Sequence, residues 1–287
     1  FSMIIWLASY PKSGNTLVRS MLSAYFFSKD GICNFDIVKN IKHFPTLELF
    51  EKLNIDPNKN NEIIRNYIKV QNAINDKNSI QFMKTHSYLF NFDNKYPFTN
   101  LDISLGVIYI VRDPRNVVSS LAKFESKTDE ETVNLLTQNL TLGGYLKSSL
   151  EHERTTTYVG TWGNNYNSWK SFKEVNKYLL IKYEDLILER EKIFLKILEF
   201  IYQLNGSKFQ INEKKFKNVL KTTEFKYLQN LEIKQGFEEA RKDKKNSEKI
   251  PFFNLGPKRD WRKSIDKKIR EKIEKIFERE MKELGYL

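Results

Sequence analysis

A single cysteine, Cys33, stands in the 287 residues. No internal disulfide framework can form from it, and the chain suits a reducing cytoplasm, where we expect it. Histidine is scarce as well, at three residues. Neither these nor the cysteine show metal-ligand spacing, so no metal is expected. The longest apolar runs fall far short of the ~20 residues of a membrane helix, which excludes a helical span. A basic n-region and a cleavage site are both lacking at the N-terminus, so no secretory leader is read there. Acidic residues are outnumbered too: 36 Asp and Glu against 48 Lys and Arg give a formal net charge of +12. Such an excess points to anionic partners (nucleotide, nucleic acid, anionic lipid, a sulfated or phosphorylated substrate). It also fits a solvated surface, since much of it is lysine in a chain rich in Asn and Ile. What is present is 40% hydrophobic and 14% aromatic residues, enough for a sizeable core.

Along the chain, residues 3–8 read as a short strand apolar on both faces, as in the centre of a parallel sheet. Pro11 breaks it, and a helical period follows from Thr16 through Leu17, Met21, Leu22 and Tyr25. Residues 79–87 read as a second strand. Residues 105–124 hold strand, turn and helix in succession, with Pro114 tolerated at the helix start. Helices are expected at 131–153 and 163–175. A strand over 178–186 runs into a long helix through Ile201, and 212–230 is helical. Residues 235–260, Lys-rich and broken by Pro251, Gly256 and Pro257, read as a flexible loop. A last helix over 264–284 carries Ile265, Ile269, Ile273, Ile276 and Phe277 on one face. The segment 33–78 reads as short helices and loops. Alternating strands and helices predict one α/β domain, residues 3–287, with a central parallel sheet flanked by helices. Ligands bind such sheets at the carboxyl ends of the strands. Lys12, His86, Arg112 and Tyr183 all fall there.

The first of these positions lies in "SYPKSGNT", residues 9–16. A Walker loop places its lysine after the last glycine, and here Lys12 precedes Gly14. The turn would aim the backbone amides of Ser13 to Thr16 into a concavity with a positive helix end behind it, suited to phosphate or sulfate. The hydroxyls of Ser13 and Thr16 add donors and Lys12 a charge, but no lysine is set to hold a γ-phosphate. Arg112-Asp113-Pro114-Arg115, followed by Ser119-Ser120, supplies arginines able to grip a phosphate bidentately. His86, in "KTHS" beside Lys84, is a general-base candidate because an imidazole titrates near neutrality. "GPKRDWR", 256–262, offers Lys258, Arg259 and Arg262 to an anion.

Taken in order, "SYPKSGNT", "KTH", "RDPRNVVSS", "YED" and "FFNLGPKRDW" resemble the sulfotransferases of the cytosolic and bacterial type that use 3′-phosphoadenosine 5′-phosphosulfate (PAPS). The resemblance runs from about residue 4 to the carboxyl end. It implies a single α/β domain related to nucleotide kinases of the P-loop type. It also implies sulfuryl transfer to an acceptor hydroxyl or amine, leaving 3′-phosphoadenosine 5′-phosphate (PAP). By position it assigns Lys12 to the bridging oxygen and the sulfuryl group, and Ser13, Gly14, Asn15 and Thr16 to the 5′ cradle. His86 becomes the base, and Arg112 with Ser120 the holders of the 3′-phosphate. Tyr183, Thr223 and Phe225 fall near the adenosine, and Gly256, Lys258 and Arg259 on a loop covering the cofactor. The third motif departs from the family's R-K-G-x-x-G-D-W: Asn254-Leu255 replace the Arg-Lys pair and Arg259 the second glycine. The family's K-T-V-E-like dimer motif is not evident, which leaves the oligomeric state open. An ATP-using kinase of related fold and a noncatalytic basic nucleic-acid binder are the competing readings. The displaced lysine opposes the first, and no nucleic-acid fold motif supports the second. The acceptor, a small molecule or a glycan, would meet segments 33–78, 88–104 and 125–165. Their aromatics (Tyr88, Phe90, Phe92, Tyr145, Trp162 and Tyr166) either line a pocket or belong to the core.

Overall fold

The computed structural model describes residues 4–56, 59–75, 79–142, 155–242, 249–258 and 260–287. Strands β1 (Ile4–Ser9), β2 (Lys42–His43), β3 (Gln81–Thr85), β4 (Ser104–Val111) and β5 (Tyr178–Lys182) form one sheet in the order β2-β3-β1-β4-β5. Every neighbouring pair is parallel. Parallel neighbours cannot be joined by a tight turn, so the connections carry crossover helices. The helices that frame the site and the core are α1 (Asn15–Phe27), α2 (Pro114–Glu125), α3 (Trp162–Trp169), α4 (Tyr183–Leu188), α5 (Arg190–Leu204), α6 (Glu213–Thr222), α7 (Phe225–Gln235) and α8 (Lys267–Ile276). This is the single α/β architecture expected.

The strand order decides where a ligand can sit. From β1 the chain runs to β2 and β3 on one side, then crosses to β4 and β5 on the other. The crevice above the β1 and β4 ends, where the connections diverge, is the switch point at which such sheets bind ligands. Ser9 pairs with Ile110, Ala8 with Thr85, and Val111 with Lys182. The strands therefore finish level, and the residues that follow them share one rim.

Strand periodicity sorts the core into two layers. Ile4, Trp6 and Ala8 of β1 and Val107, Tyr109 and Val111 of β4 pack with Trp162, Trp169 and Ile273 on one face. Ile5, Leu7, Ile108 and Ile110 pack with Met21, Leu22, Phe194 and Ile197 on the other. Both faces are covered, which explains why β1 is apolar throughout. The indole of Trp6, fully buried, donates to Ser104 Oγ at 2.8 Å.

Several boundaries differ from the sequence reading. The helix expected over 131–153 is an Asp129–Thr137 helix, followed by strand Leu140–Leu142 paired antiparallel with Thr157–Gly160. Pairing with a β-branched and aromatic partner strand overrides the helical pattern there; residues 143–153 lie outside the described residues. The strand expected over 178–186 ends at Lys182, and the helix through Ile201 is two, α4 and α5, broken at Glu189 (φ −120°, ψ 45°). The helical stretch 212–230 likewise divides into α6 and α7. The last helix starts later than 264, because Asp266 caps α8 by accepting from Ile269 N at 2.8 Å.

Candidate active site

His43 ends β2, His86 follows β3, Lys12 follows β1, Arg112 follows β4 and Tyr183 follows β5. Level strand ends turn these five residues into a row across the rim of the sheet. All five line one cleft of ≈ 1830 Å³. A single small ligand usually occupies a pocket of ~300–1,000 Å³, so this cleft has room for two substrates side by side.

The β1–α1 loop is held in an uncommon backbone shape. Gly14 is left-handed (φ 99°), and so is Lys12 (φ 64°). A Cβ at position 14 would stand 2.3 Å from Tyr183 Cδ2, so both the dihedral and the neighbouring ring require glycine. Asn15 Nδ2 donates to Leu7 O at 2.9 Å and Ser9 Oγ at 3.1 Å, which staples the loop to the end of β1. That amide is committed inside the fold. No side chain caps α1, and Gly14, Asn15 and Thr16 line the cleft at its positive end. The Lys12 ammonium stands 3.9 Å from the ring centre of Phe124 and 4.2 Å from that of Phe252.

The second motif is built differently. Asp113 caps α2 itself, its side chain accepting from Arg115 N at 2.9 Å, so this helix start is already satisfied. Arg115 points away from the cleft. Its guanidinium binds Asp113 at 2.7 Å, Glu274 at 2.6 Å and Tyr286 O at 2.8 Å, and stacks on Trp261 at 4.0 Å. It latches the C-terminal segment to the sheet. Arg112 faces the cleft: Nη1 donates to Lys12 O at 3.1 Å, and the guanidinium lies 4.4 Å from the Tyr183 ring centre. Ser120 also lines the cleft, whereas Ser119 is buried and accepts from Ser264 Oγ at 3.1 Å.

His86 is oriented by the loop. Its Nδ1 lies 2.8 Å from Ser9 O. A carbonyl can only accept, so Nδ1 carries a hydrogen, and in the neutral ring the lone pair is then on Nε2. Asn165 Nδ2 donates to His86 O at 2.9 Å and fixes the backbone. The His43 ring is 6.0 Å away, on the side opposite β1.

The remaining candidates divide. Phe225 and Gly256 line the cleft together. A Cβ on Gly256 (φ +46°) would meet Phe225 Cε2 at 2.1 Å, so the glycine of the third motif makes room for that ring. Thr223 is fully buried behind the wall, its hydroxyl donating to Val219 O while its carbonyl accepts from Arg190 Nη2. Arg190 is the residue of that pair that lines the cleft. Lys258 closes a short turn, Gly256–Lys258, and Arg259 lies outside the described residues. Of the aromatics noted above, Phe90, Trp162 and Tyr166 are core, Tyr88 and Phe92 pack against it, and Tyr145 lies outside the described residues.

Ser13 Oγ, Arg112 Nε and Arg190 Nε are buried in or beside the cleft without a hydrogen-bond partner among the described residues. Buried donors are nearly always satisfied, and oxygens of an anionic ligand would satisfy these. The residues thus fit a nucleotide bearing more than one anionic group.

Residues not singled out from the sequence also reach the cleft. Lys84, on β3, binds both carboxylate oxygens of Glu239 at 3.0 Å, and Arg19 of α1 binds the same carboxylate at 2.5 Å. His43, Phe124 and Phe252 line it as well. Lys84, noted above only as a neighbour of His86, was within reach of sequence reasoning, since it alternates with Phe82 on one face of β3.

A parallel α/β sheet with uncapped helix-end amides at its switch point and an oriented histidine beside them has the architecture of a nucleotide-binding fold. The sulfotransferase domain model matches residues 4–285, and the chain belongs to that family. It is 26% identical to a guinea-pig 3-beta-hydroxysteroid sulfotransferase over 65% of this chain and 59% of that one. Human sulfotransferase 1E1 is 22% identical over 96% of this chain and 83% of its own. A flavonol 3-sulfotransferase from Flaveria bidentis is 23% identical over 98% and 82%. Mouse sulfotransferase SULT7A1 complexed with PAP shares the fold at a TM-score of 0.58 and 18% identity, covering 97% of this chain and 84% of that one.

Proposed function

We propose that this protein transfers a sulfuryl group from PAPS to the hydroxyl of a small-molecule acceptor, with His86 as general base. The observation that carries this reading is the set of buried donors without a partner among the described residues around the β1 and β4 ends, level with an imidazole oriented through Nδ1 by Ser9 O. When bound, PAPS supplies the activated sulfuryl group. Lys12 and the amides from Ser13 to Thr16 hold its 5′ end, where developing negative charge is stabilised by fixed dipoles and one cation. A cation–π contact is worth about 0.5–2 kcal/mol, less than an ammonium–anion contact in a cleft, so Lys12 can exchange its phenyl cage for the ligand. Arg112, preorganised by Lys12 O and Tyr183, grips the 3′-phosphate with Ser120. Phe225 and Tyr183 bound the adenosine, and the 235–260 segment covers it through Phe252 and Gly256.

His86 sits on the acceptor side of the row and takes the hydroxyl proton on Nε2, while Nδ1 stays bonded to Ser9 O. The acceptor then occupies the part of the cleft lined by His43, Leu47, Leu135 and Leu142. Relatives named for hydroxysteroids and a flavonol support a small, largely apolar alcohol or phenol. No helix among the described residues is long and apolar enough to cross a membrane. A relative from Arabidopsis thaliana named a cytosolic sulfotransferase supports placing the reaction in the cytoplasm.

Thermal denaturation with PAP and, separately, with ATP–Mg²⁺ tests the cofactor assignment. We expect a rise in Tm with PAP alone, because bound ligand stabilises the folded state. Stabilisation by ATP–Mg²⁺ without PAP would overturn it in favour of a kinase. Acceptor classes are then screened for incorporation of labelled sulfate from PAPS.

A further inference from the structure

A carboxylate is set among the cations of the cleft. The Glu239 side chain is 10% exposed, with Oε1 2.5 Å from Arg19 Nη1. Both of its oxygens lie 3.0 Å from Lys84 Nζ, and Oε2 accepts from Thr16 Oγ1 at 3.4 Å. Thr16 is one of the hydroxyls assigned above to the cofactor's 5′ end, and Lys84, on β3, stands two residues before His86.

The support under Glu239 is packed. Phe237 meets Phe35, Phe252 and Phe253 at ring-centre distances of 4.5, 5.0 and 5.5 Å. Glu232, buried on α7, accepts from Phe252 N at 2.8 Å and Phe253 N at 2.9 Å. Gly236 (φ 75°) turns the chain out of α7 toward the cleft. Arg19 is itself fixed, its Nε donating to Val38 O at 3.2 Å.

Seen as structure alone, the contact works against the site. It neutralises Lys84 and engages Thr16 in the cleft that must take up a multiply charged anion. Like charges at such depth are poorly screened. We propose that Glu239 is an internal anion that competes with the cofactor's anionic 5′ end for Thr16 and Lys84, and so sets the protein's affinity for the nucleotide. The proposal rests on the cofactor reading above. Arg19 keeps hold of the carboxylate when Thr16 and Lys84 release it, so the exchange needs a side-chain displacement and leaves the aromatic support in place. The competition acts on the 5′ end only. A ligand without 5′ charge does not feel it.

Isothermal titration of wild-type protein and Glu239→Gln with PAP and with adenosine 3′-monophosphate tests this. Glutamine keeps the shape and removes the charge. PAP should bind the variant more tightly, by roughly 5- to 150-fold, the usual span of coupling between two binding events. Adenosine 3′-monophosphate should bind both proteins alike. PAP affinity that is unchanged or weaker in the variant overturns the proposal and makes Glu239 a fixed scaffold for Lys84. Equal tightening of both ligands also overturns it, as a general loosening of the cleft. If PAP fails to bind the wild-type protein, the cofactor reading itself falls, and the competition with it. A melting curve of each protein without ligand checks folding. Should Glu239→Gln not fold, Glu239→Asp keeps the charge with a shorter reach; tighter PAP binding by a smaller factor is then expected, and its absence refutes the proposal.

Discussion

On the β1, β4 and β5 side of the cleft, the wall is backbone pinned by the sheet and by buried polar contacts. Arg112 holds Lys12 O, Asn15 holds Leu7 O, Tyr183 fills the space a side chain at Gly14 would need, and Arg115 latches the C-terminal segment beneath. On the β2 side the wall consists of a two-residue strand, the Leu140–Leu142 ribbon and the short helix Leu47–Glu51. Apart from Phe50, which is buried in the core, its side chains are half-buried or exposed. Its ion pair, Lys42 with Glu48 at 3.5 Å, joins residues that are 50% and 56% exposed. Exposed pairs of this kind are worth only ~0–1 kcal/mol. The contrast matches a division of labour: a rigid half that holds one nucleotide and positions charge, and a loosely determined half that meets the acceptor.

His86 stands on the boundary between the halves, so its removal should have the largest effect. A positioned general base contributes about 10²–10⁴-fold, and His86→Ala should lose kcat by that factor with PAP affinity and Tm nearly unchanged. Single-turnover kinetics alongside PAP titration measures both. A variant with wild-type kcat would remove His86 from the proton transfer and leave the boundary without chemistry.

Next in size is Gly14→Ala, which strikes the rigid half. The left-handed backbone costs a side-chain-bearing residue about 1–3 kcal/mol, and the Cβ clash with Tyr183 adds overpacking of similar size. Chemical denaturation should show the loss, and PAP titration should show weakened binding, because Tyr183 also backs the Arg112 guanidinium. Unchanged PAP affinity would mean that the loop geometry is not what holds the nucleotide.

The two halves also differ in how far they can be read from sequence, for the same physical reason. "SYPKSGNT", Arg112 and Tyr183 follow buried apolar strands at fixed offsets, so a local pattern places them on the rim. The β2 strand has two residues and no periodicity, so His43 and its position beside His86 leave no local trace. The Leu140–Leu142 ribbon exists through pairing with Thr157–Gly160, which outweighs the helical pattern of its own segment. Arg19 and Glu239 meet across 220 positions, and nothing near either residue announces the other. Arg115 shows the converse: the motif "RDPR" offers two arginines to an anion, and long-range contacts with Glu274 and Tyr286 withdraw one.

The smallest expected effect is the sharpest check on the contrast. Lys42 lies at the sheet edge, lines the cleft and carries a full charge, so on charge alone it is as good a phosphate ligand as Arg112. Its exposure argues otherwise: water screens it, its partner Glu48 is equally solvated, and it projects from β2, the strand farthest from Arg112 in the sheet order. Lys42→Ala should therefore change stability by no more than about 0.5 kcal/mol, as surface substitutions usually do. PAP affinity should stay at the wild-type value, and any kinetic change should fall on the KM of the acceptor. Parallel PAP titrations of Lys42→Ala and Arg112→Ala make the comparison direct. Charge-assisted hydrogen bonds are worth about 1.5–3 kcal/mol, so the arginine variant should weaken PAP binding by roughly ten- to a hundredfold. Comparable losses in the two variants would mean that the nucleotide extends over β3 to the sheet edge, and that the acceptor must enter from elsewhere.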